Sequence, residues 1–331
     1  MSHGPMASSR RGQRSCSEVM IAEFAIDPEV MARWDEFTKI WRDFGIAQRR
    51  QIGLYPKKWK RSVADRSQEL VQSKINTEMQ RARIIERLSG DAYKNRYKKV
   101  NCTDWLEEQS WLMNAMSHEP KFRAIVTRAS IADDRVLDVN DMIGDCGDSG
   151  PYHLEPDDEI NRSVDGILSA ILPLLEQSDT VILVEPNFDP REIRFRNVME
   201  AIIDSLNAIG KVPKRFELHT AKTKQIDGHV SNRFHDFHFT QNLGPLLRSG
   251  WSLKVGCWME TRVEDYLHPR FVITEVGAIH IDWGLDEGHQ AGIKTIAKGL
   301  GDATHQRLWE RFSVSSSAFL SDSENECIEV S

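Results

Sequence analysis

The stretch HPRFVITEVGAIHIDWGLD, which begins at His268, contains an imidazole, a guanidinium and several carboxylates at short spacings. If its apolar residues form two short strands joined by a turn, His268 and Arg270 lie on one face, because side chains alternate along a strand. An imidazole can attack or protonate a phosphate while a guanidinium holds the phosphate oxygens. This pattern predicts a phosphate site in which His268 and Arg270 contact the ligand. Glu275 and Asp286 would fix the orientation of these two side chains.

A second interpretation of the same stretch needs no ligand. His268 can cap the end of a strand, and Arg270 can form an ion pair with Glu275 or Asp286 at the surface, since surface ion pairs are common. The residue types and spacings alone are consistent with both interpretations.

The stretch also resembles a known signature. HPRFVITE resembles the His-x-Lys-x4-Asp motif of the phospholipase D superfamily, with Arg270 in the lysine position and Glu275 in the aspartate position. The Gly-Leu-Asp at 284–286 makes it more similar to the phospholipase D-like domain at the C-terminus of MIT-domain proteins. In that domain a His-x-Arg strand leads to a Gly-Leu-Asp turn. The order of helices and strands resembles that domain over 119–311. The motif itself is confined to the stretch that begins at His268.

The resemblance implies a specific chemistry. In active members of the superfamily two motifs face each other, one histidine forming a phosphohistidine and the other protonating the leaving group, without a metal. This chain shows one motif, because the sequences at His153, His219 and His229 do not keep the spacing. Catalysis would therefore need two copies of His268 to meet across the two-fold axis of a homodimer. The arginine in the lysine position, the glutamate in the aspartate position and the absence of Gly-Ser-x-Asn favour holding a phosphate over shuttling protons.

Two further segments carry groups that can bind phosphate. EPNFDPREIRFR, at 185–196, follows a strand and begins a helix, which is a usual place for anions in an α/β sheet. Arg191 and Arg194 would contact a phosphate there, and plain capping of the helix by Asp189 is the alternative. The basic run at 49–61 either grips nucleic-acid phosphates while its aromatic rings stack on bases, or is a solvated edge whose tryptophan belongs to the core. The nucleic-acid contacts predicted in this run are Arg49, Arg50, Lys57, Lys58, Trp59, Lys60 and Arg61.

The histidines and cysteines do not predict a metal site. His235 and His238, near His229, share a helix face, but no further ligands follow at helical spacing. The five cysteines are widely dispersed and form no Cys-x-x-Cys pair, which predicts reduced thiols. We expect no metal and no cofactor.

The elements that must position these residues fall into two predicted regions. Segment 1–19 is typical of a tag or a disordered terminus, and 20–118 is predicted as a basic, mainly helical region with a helix that starts at Asp27-Pro28. Helices and strands then alternate through 119–311, and the Ser-rich, acidic 312–331 is predicted as a disordered tail. The expected fold class is α/β: a phospholipase D-like mixed sheet covered by helices, preceded by the helical region.

Composition limits the classes of function. The 331 residues carry a net charge of −7, so any attraction to nucleic acid must come from local basic patches. No apolar run approaches the roughly 20 residues of a spanning helix, and the N-terminus lacks a signal-peptide pattern. We therefore expect a cytoplasmic protein with no membrane partner.

Three functions follow from these patterns. The first is a protein that recognises the phosphates of nucleic acid. It would work with other protein subunits in a bacterial assembly such as a defence or mobile-element system. The second is a metal-independent nuclease or phosphodiesterase acting through a phosphohistidine at a homodimer interface. The third is a non-catalytic protein-interaction scaffold that uses the Trp34, Trp41 and Phe44 face.

Overall fold

Two large β-sheets organise the chain. Helices and strands alternate along both, which confirms the predicted α/β class. Segment 1–19, predicted as a tag or disordered, lies outside the described residues. The structure is a computed structural model that describes residues 20–129, 131–140, 151–154, 158–226, 229–232, 236–259, 270–290 and 292–331.

The first sheet is entirely parallel. Its strands are β1 (Ala22–Ile26), β2 (Arg50–Leu54), β3 (Tyr97–Lys99), β4 (Ala124–Thr127) and β5 (Val136–Asp138). They are arranged in the order β3-β2-β1-β4-β5. Phe24 and Ile26 point into one apolar core and Ala25 into another, as expected for a parallel sheet that is covered on both faces.

The first region contains this sheet in addition to the helices that the sequence predicts. The helices are α1 (Pro28–Ala32), α2 (Trp34–Asp43), α3 (Trp59–Gln72), α4 (Glu78–Ser89) and α5 (Trp111–Ser117). The region 20–118 remains mainly helical, as predicted, and it also carries β1, β2 and β3 of the first sheet. Strands β2 and β3 lie within basic sequence and have 5 and 3 residues, too few for a clear apolar alternation.

The helix that starts at Asp27 is interrupted at Arg33, where ψ is 127° and the backbone is extended. Asn76, which lies between α3 and α4, satisfies the backbone at this break. Its side chain accepts a hydrogen bond from the Trp34 N–H (3.2 Å) and donates one to the Ala32 carbonyl (2.7 Å). A buried side chain thus replaces the helical hydrogen bonds that the break removes.

The boundary between the two regions differs from the predicted one after residue 118. Strand β4 pairs with β1, and β5 pairs with β4, so both complete the first sheet. Further along, Tyr152 packs into the first core and accepts hydrogen bonds from Arg50 through its carbonyl. The first region therefore includes residues up to 154, because its sheet needs strands from beyond α5.

The second sheet is mixed. Its strands are β6 (Asp158–Asn161), β7 (Thr180–Val184), β8 (Arg215–Ala221), β11 (Leu253–Trp258), β12 (Phe271–Thr274), β13 (Ala278–Ile281), β14 (Lys294–Gly299) and β15 (Glu326–Val330). The order is β15-β11-β8-β7-β12-β13-β14-β6. Strands β7, β8 and β11 are parallel, and all other pairs are antiparallel. A separate hairpin consists of β9 (Thr223–Ile226) and β10 (His229–Asn232).

Helices cover both faces of the second sheet. The helices are α6 (Val164–Leu175), α7 (Ile193–Ala208), α8 (Asp236–Leu243), α9 (Asp302–Arg311) and α10 (Ser317–Leu320). Residues of α6, α7 and α8 form the larger core with one face, and residues of α9 and α10 contribute to a smaller core on the other. Among the helices that the structure describes, none is both long enough and apolar enough to cross a membrane.

The segment 312–331, predicted as a disordered tail, is ordered in the structure. Its strand β15 pairs antiparallel with β11 and buries Ile328 and Val330 in the larger core. Phe319 of α10 is buried in the smaller core. Together with the buried Phe312, these are four buried apolar residues, spaced among serines and acidic residues, and they anchor the segment.

The two regions meet at Ile46, which lies between α2 and β2. A Cβ atom on Gly277 would come 2.9 Å from the Ile46 side chain, and one on Gly299 would come 2.3 Å from the Ile46 carbonyl oxygen. Ile46 itself is counted among the buried residues of the larger core, together with Met20 and Ile21. The contact depends on two glycines, because only glycine lets the Ile46 segment approach the second sheet so closely.

We predict that Gly299→Ala destabilises the protein by about 1–3 kcal/mol, because the new methyl group meets backbone that cannot move aside. Gly301→Ala is the matched control, since nothing lies within 4 Å of the added carbon. Denaturant unfolding of the three proteins measures the effect. Equal midpoints for Gly299→Ala and Gly301→Ala would show that Ile46 does not constrain the second sheet.

Candidate functional site

Charged side chains gather where β7 ends and β12 begins. Phe271 of β12 pairs with Val184 of β7, so Glu185, which follows β7, and Arg270, which precedes β12, lie at the same edge. This edge holds the carboxyl ends of the parallel strands, where open α/β sheets bind ligands. We call the following residues the arginine–carboxylate cluster: Arg162, Glu185, Arg194, Arg270 and Asp286.

Asp286 is the centre of the cluster. Its side chain is 2% exposed and pairs with two arginines, Arg162 through Oδ1 and Arg194 through Oδ2, the latter at 2.6 Å. Arg162 follows β6, and Arg194 lies in the first turn of α7. A buried carboxylate is tolerated only when it is paired and hydrogen-bonded, so Asp286 ties these elements to the loop after β13.

Glu185 is equally buried and is bound mainly by backbone. Its carboxylate accepts hydrogen bonds from the N–H groups of Leu285 (2.8 Å) and Asn187 (3.0 Å). A Cβ atom on Gly284, whose φ is +108°, would lie 2.5 Å from Glu185 Oε2, so this position needs glycine. Burial raises the pKa of Glu185, and the two backbone N–H groups and Arg270 lower it in part.

The Gly-Leu-Asp turn therefore has a physical function at each position. Gly284 gives room for the Glu185 carboxylate, Leu285 donates its N–H to it and is itself buried, and Asp286 binds two arginines. Together they fix the loop against the end of β7.

Arg270 is the least saturated member of the cluster. Its Nη1 donates to the Asp282 carbonyl at 3.1 Å, and its Nε lies 3.8 Å from Glu185 Oε1. Neither Nε nor Nη2 has a hydrogen-bond partner among the residues that the structure describes, although the side chain is 27% exposed. Three guanidinium groups surround two buried carboxylates, and Arg194 also pairs with the half-exposed Glu192 at 2.5 Å.

The structure separates the two carboxylates that were predicted to serve one site. Asp286 belongs to the cluster, but Glu275 lies at the other end of β12. There its carboxylate accepts hydrogen bonds from the backbone N–H groups of Asp179 and Thr180, the latter at 3.0 Å. Glu275 therefore cannot orient Arg270, because the four residues of β12 stand between them. His268 lies outside the described residues.

The two arginines predicted at 185–196 differ in their surroundings. Arg194 joins the cluster through Asp286, and its Nη1 also lies 3.2 Å from His289 Nε2. Arg191 forms two hydrogen bonds with Asp189, at 3.0 Å and 2.7 Å, in the loop before α7. Arg194 also pairs with Glu192 at 2.5 Å, so both predicted arginines are engaged by carboxylates of the protein.

Most of the basic run 49–61 is structural. Trp59, predicted to stack on bases, is fully buried, and its indole N–H donates to the Ile26 carbonyl at 2.6 Å. Lys60 donates to the Leu88 carbonyl at 2.6 Å and lies over the Tyr97 ring, and burial lowers its pKa. Aromatic residues at the start of a helix that packs on a sheet are core residues, so the stacking prediction is wrong for Trp59.

The remaining residues of the run divide into internal and exposed ones. Arg49 is buried and donates to the Met20 carbonyl at 2.8 Å, and Arg50 bonds to Tyr152. Lys57, Lys58 and Arg61 are exposed. Only these three side chains of the predicted set can reach a nucleic acid without disrupting the core.

His219, the nearest candidate for a second histidine motif, belongs to a closed internal network. Its Nε2 lies 3.0 Å from Glu217 Oε2, and its Nδ1 accepts a hydrogen bond from the Trp258 indole at 2.8 Å. Burial lowers the pKa of His219. Burial also raises the pKa of Glu217, but hydrogen bonds from His219 and Arg215 outweigh this effect and bring it to about 2. His219 is therefore a structural histidine.

The structure describes His238 but not His235 of the pair considered for a metal. Within the described part of the chain, no three His, Cys, Asp or Glu side chains are grouped as metal ligands. The described cysteines, Cys102, Cys257 and Cys327, are free thiols.

Two members of the cluster were not predicted from the sequence. Glu185 ends the apolar strand TVILV, and a carboxylate that follows a buried strand was the signal that could have identified it. Arg162 lies directly before the cap Ser163 of α6, where nothing in the local sequence distinguishes it from a surface arginine.

We predict that Asp286→Asn destabilises the protein by about 3–5 kcal/mol, because it leaves buried arginine charge without its partner. Asp65→Asn is the control: this carboxylate, 70% exposed, pairs with Arg61, and such surface pairs contribute about 0–1 kcal/mol. Urea unfolding measures both. A loss for Asp286→Asn as small as that for Asp65→Asn would contradict the central position of Asp286.

We also predict that stability falls as the pH is lowered through about 6.5, the unfolded-state pKa of histidine. The folded state holds the His219 pKa below that value, so the unfolded state binds the proton first and is favoured in acid. His219→Gln should reduce the slope of unfolding free energy against pH between pH 7.5 and 5. His289→Gln, at an exposed histidine, is the control. An unchanged slope in His219→Gln would contradict the assignment.

Comparisons with known proteins identify no family for this chain. No protein-family model matches the chain, and neither the curated proteins nor the solved structures include a match to it.

Proposed function

We propose that the protein recognises phosphate groups of nucleic acid at the arginine–carboxylate cluster. The observation that carries this proposal is the state of Arg270. Its guanidinium is held by the Asp282 carbonyl and by Glu185, is partly exposed, and keeps Nη2 without a hydrogen-bond partner in the described part of the chain. A guanidinium with an N–H group that has no partner in the protein can donate a charge-assisted hydrogen bond to a phosphate oxygen.

The proposal includes a phospholipase D-like domain that begins near residue 158. The order of the elements supports it: Arg270 precedes a strand, the chain returns in a hairpin, and the Gly-Leu-Asp turn follows. The contacts of that turn with Glu185 give the resemblance a physical basis. In this proposal His268, two residues before Arg270, donates to the same phosphate.

The proposed setting is a bacterial assembly, such as a defence or mobile-element system, in which nucleic acid is the ligand. Lys57, Lys58 and Arg61 would supply a second, weaker contact with its phosphates from the first region. These three cations are exposed, and each would add a salt-dependent contribution to binding.

We predict that Arg270→Ala weakens the binding of a labelled oligonucleotide by about 1.5–3 kcal/mol, because it removes a charge-assisted hydrogen bond. The slope of log K against log salt should also fall by about one. Arg270→Lys keeps the charge but not the planar guanidinium, so its affinity should lie between those of the wild type and Arg270→Ala. Arg83→Ala, an exposed arginine of α4, is the matched control. Fluorescence anisotropy in a salt series, with excess EDTA, measures these values.

Two results would overturn the proposal. Equal affinities for wild type, Arg270→Ala and Arg83→Ala would remove the phosphate site from the cluster. Cleavage of the oligonucleotide in EDTA that disappears in His268→Ala would replace recognition by the nuclease function. Thermal unfolding of each variant shows whether the folded state is retained.

A further inference from the structure

Trp283 is a large aromatic side chain at the edge of the arginine–carboxylate cluster, and it is 62% exposed. It lies between Asp282, whose carbonyl binds Arg270, and Gly284, which contacts Glu185. Most of this side chain is open to solvent, so the ring is accessible to a ligand that binds at the cluster.

The backbone of Trp283 is fixed from both sides. Its N–H donates to the hydroxyl of the buried Thr295 at 3.2 Å, and its carbonyl accepts a hydrogen bond from Arg162 at 2.9 Å. The Arg162 guanidinium also lies 5.8 Å from the centre of the indole ring. A ring on an anchored backbone loses little conformational freedom when it binds a ligand.

Hydrogen bonds connect the backbone around Trp283 to the arginine–carboxylate cluster. Arg162 binds both the Trp283 carbonyl and Asp286, and Arg270 binds the carbonyl of the preceding residue, Asp282. The backbone that carries the indole therefore borders the residue that holds Arg270.

Resting on the proposed function, we infer that the ligand is single-stranded nucleic acid and that one unpaired base stacks on Trp283. Bases of a single strand expose their faces and stack on aromatic side chains, whereas those of a duplex already stack on each other. Arg270 would hold the adjacent phosphate. Stacking of this kind is tolerant of sequence, so any base would be accepted.

The surroundings of Trp283 favour a base over a protein or a membrane. Its neighbours include the charged Arg162 and the half-exposed Asp282, so the ring is not part of a continuous apolar patch. Protein and membrane contacts need such a patch, commonly of several hundred Å². A single planar ring between charged groups matches the size and chemistry of one nucleobase.

The test compares three labelled ligands of equal length by fluorescence anisotropy: single-stranded oligothymidylate, the same backbone with abasic sites, and a blunt duplex. We predict that wild type binds the single strand most tightly, and that Trp283→Ala weakens this binding by about tenfold. Trp283→Phe should retain most of the affinity. Trp283→Ala should bind the abasic strand as the wild type does, because the phosphate contact remains.

The control variant is Phe237→Ala, an exposed aromatic residue of α8 in the same region, which should bind like the wild type. Equal binding of oligothymidylate by wild type and Trp283→Ala would overturn the stacking inference, and the proposed function would stand if Arg270→Ala still loses affinity. No binding of any of the three ligands would overturn both. Tighter binding of the duplex, or binding to anionic phospholipid vesicles that Trp283→Ala abolishes, would overturn the single-strand inference alone.

Discussion

The second region depends on the compensation of two carboxylates that are buried at the carboxyl end of β7. A carboxylate removed from water without a partner costs several kcal/mol, so Glu185 and Asp286 cannot stay charged unless donors converge on them. The donors come from separate elements: an arginine after β6, one in α7, one before β12, and the backbone after Gly284. Satisfying these charges holds four connections in one arrangement.

The same requirement can produce a binding site. Arginines that neutralise a buried carboxylate are preorganised, because their side chains are already fixed before a ligand arrives. Asp286 pairs directly with two of them, whereas Arg270 contacts Glu185 only at 3.8 Å and its side chain is 27% exposed. The structure thus combines a stabilising network of ion pairs with a guanidinium that can still donate hydrogen bonds.

The sequence predicted the local pattern of this site better than its long-range contacts. The hairpin of β12 and β13 follows from alternation, which is local, whereas the Gly-Leu-Asp turn was singled out by the family resemblance. The position of Glu275 could not be predicted from this local pattern, because residues a few positions apart along an extended strand lie far apart in space. Trp59 shows the same limit: whether a tryptophan among cations is core or exposed depends on which face meets the sheet. The partners Glu185 and Arg162 are about 100 residues away from the turn or more, beyond any local pattern.

The described histidines near the second sheet differ in how far their rings are engaged. His219 has both ring nitrogens engaged, by Glu217 and Trp258, in a buried network. His280 packs against Phe271, and burial lowers its pKa. His280 also lies 3.2 Å from Asp282, whose carbonyl binds Arg270. An arginine remains protonated at working pH and cannot act as an acid. Any proton donor to a phosphate held by Arg270 would therefore have to be another residue, of this chain or of a second copy.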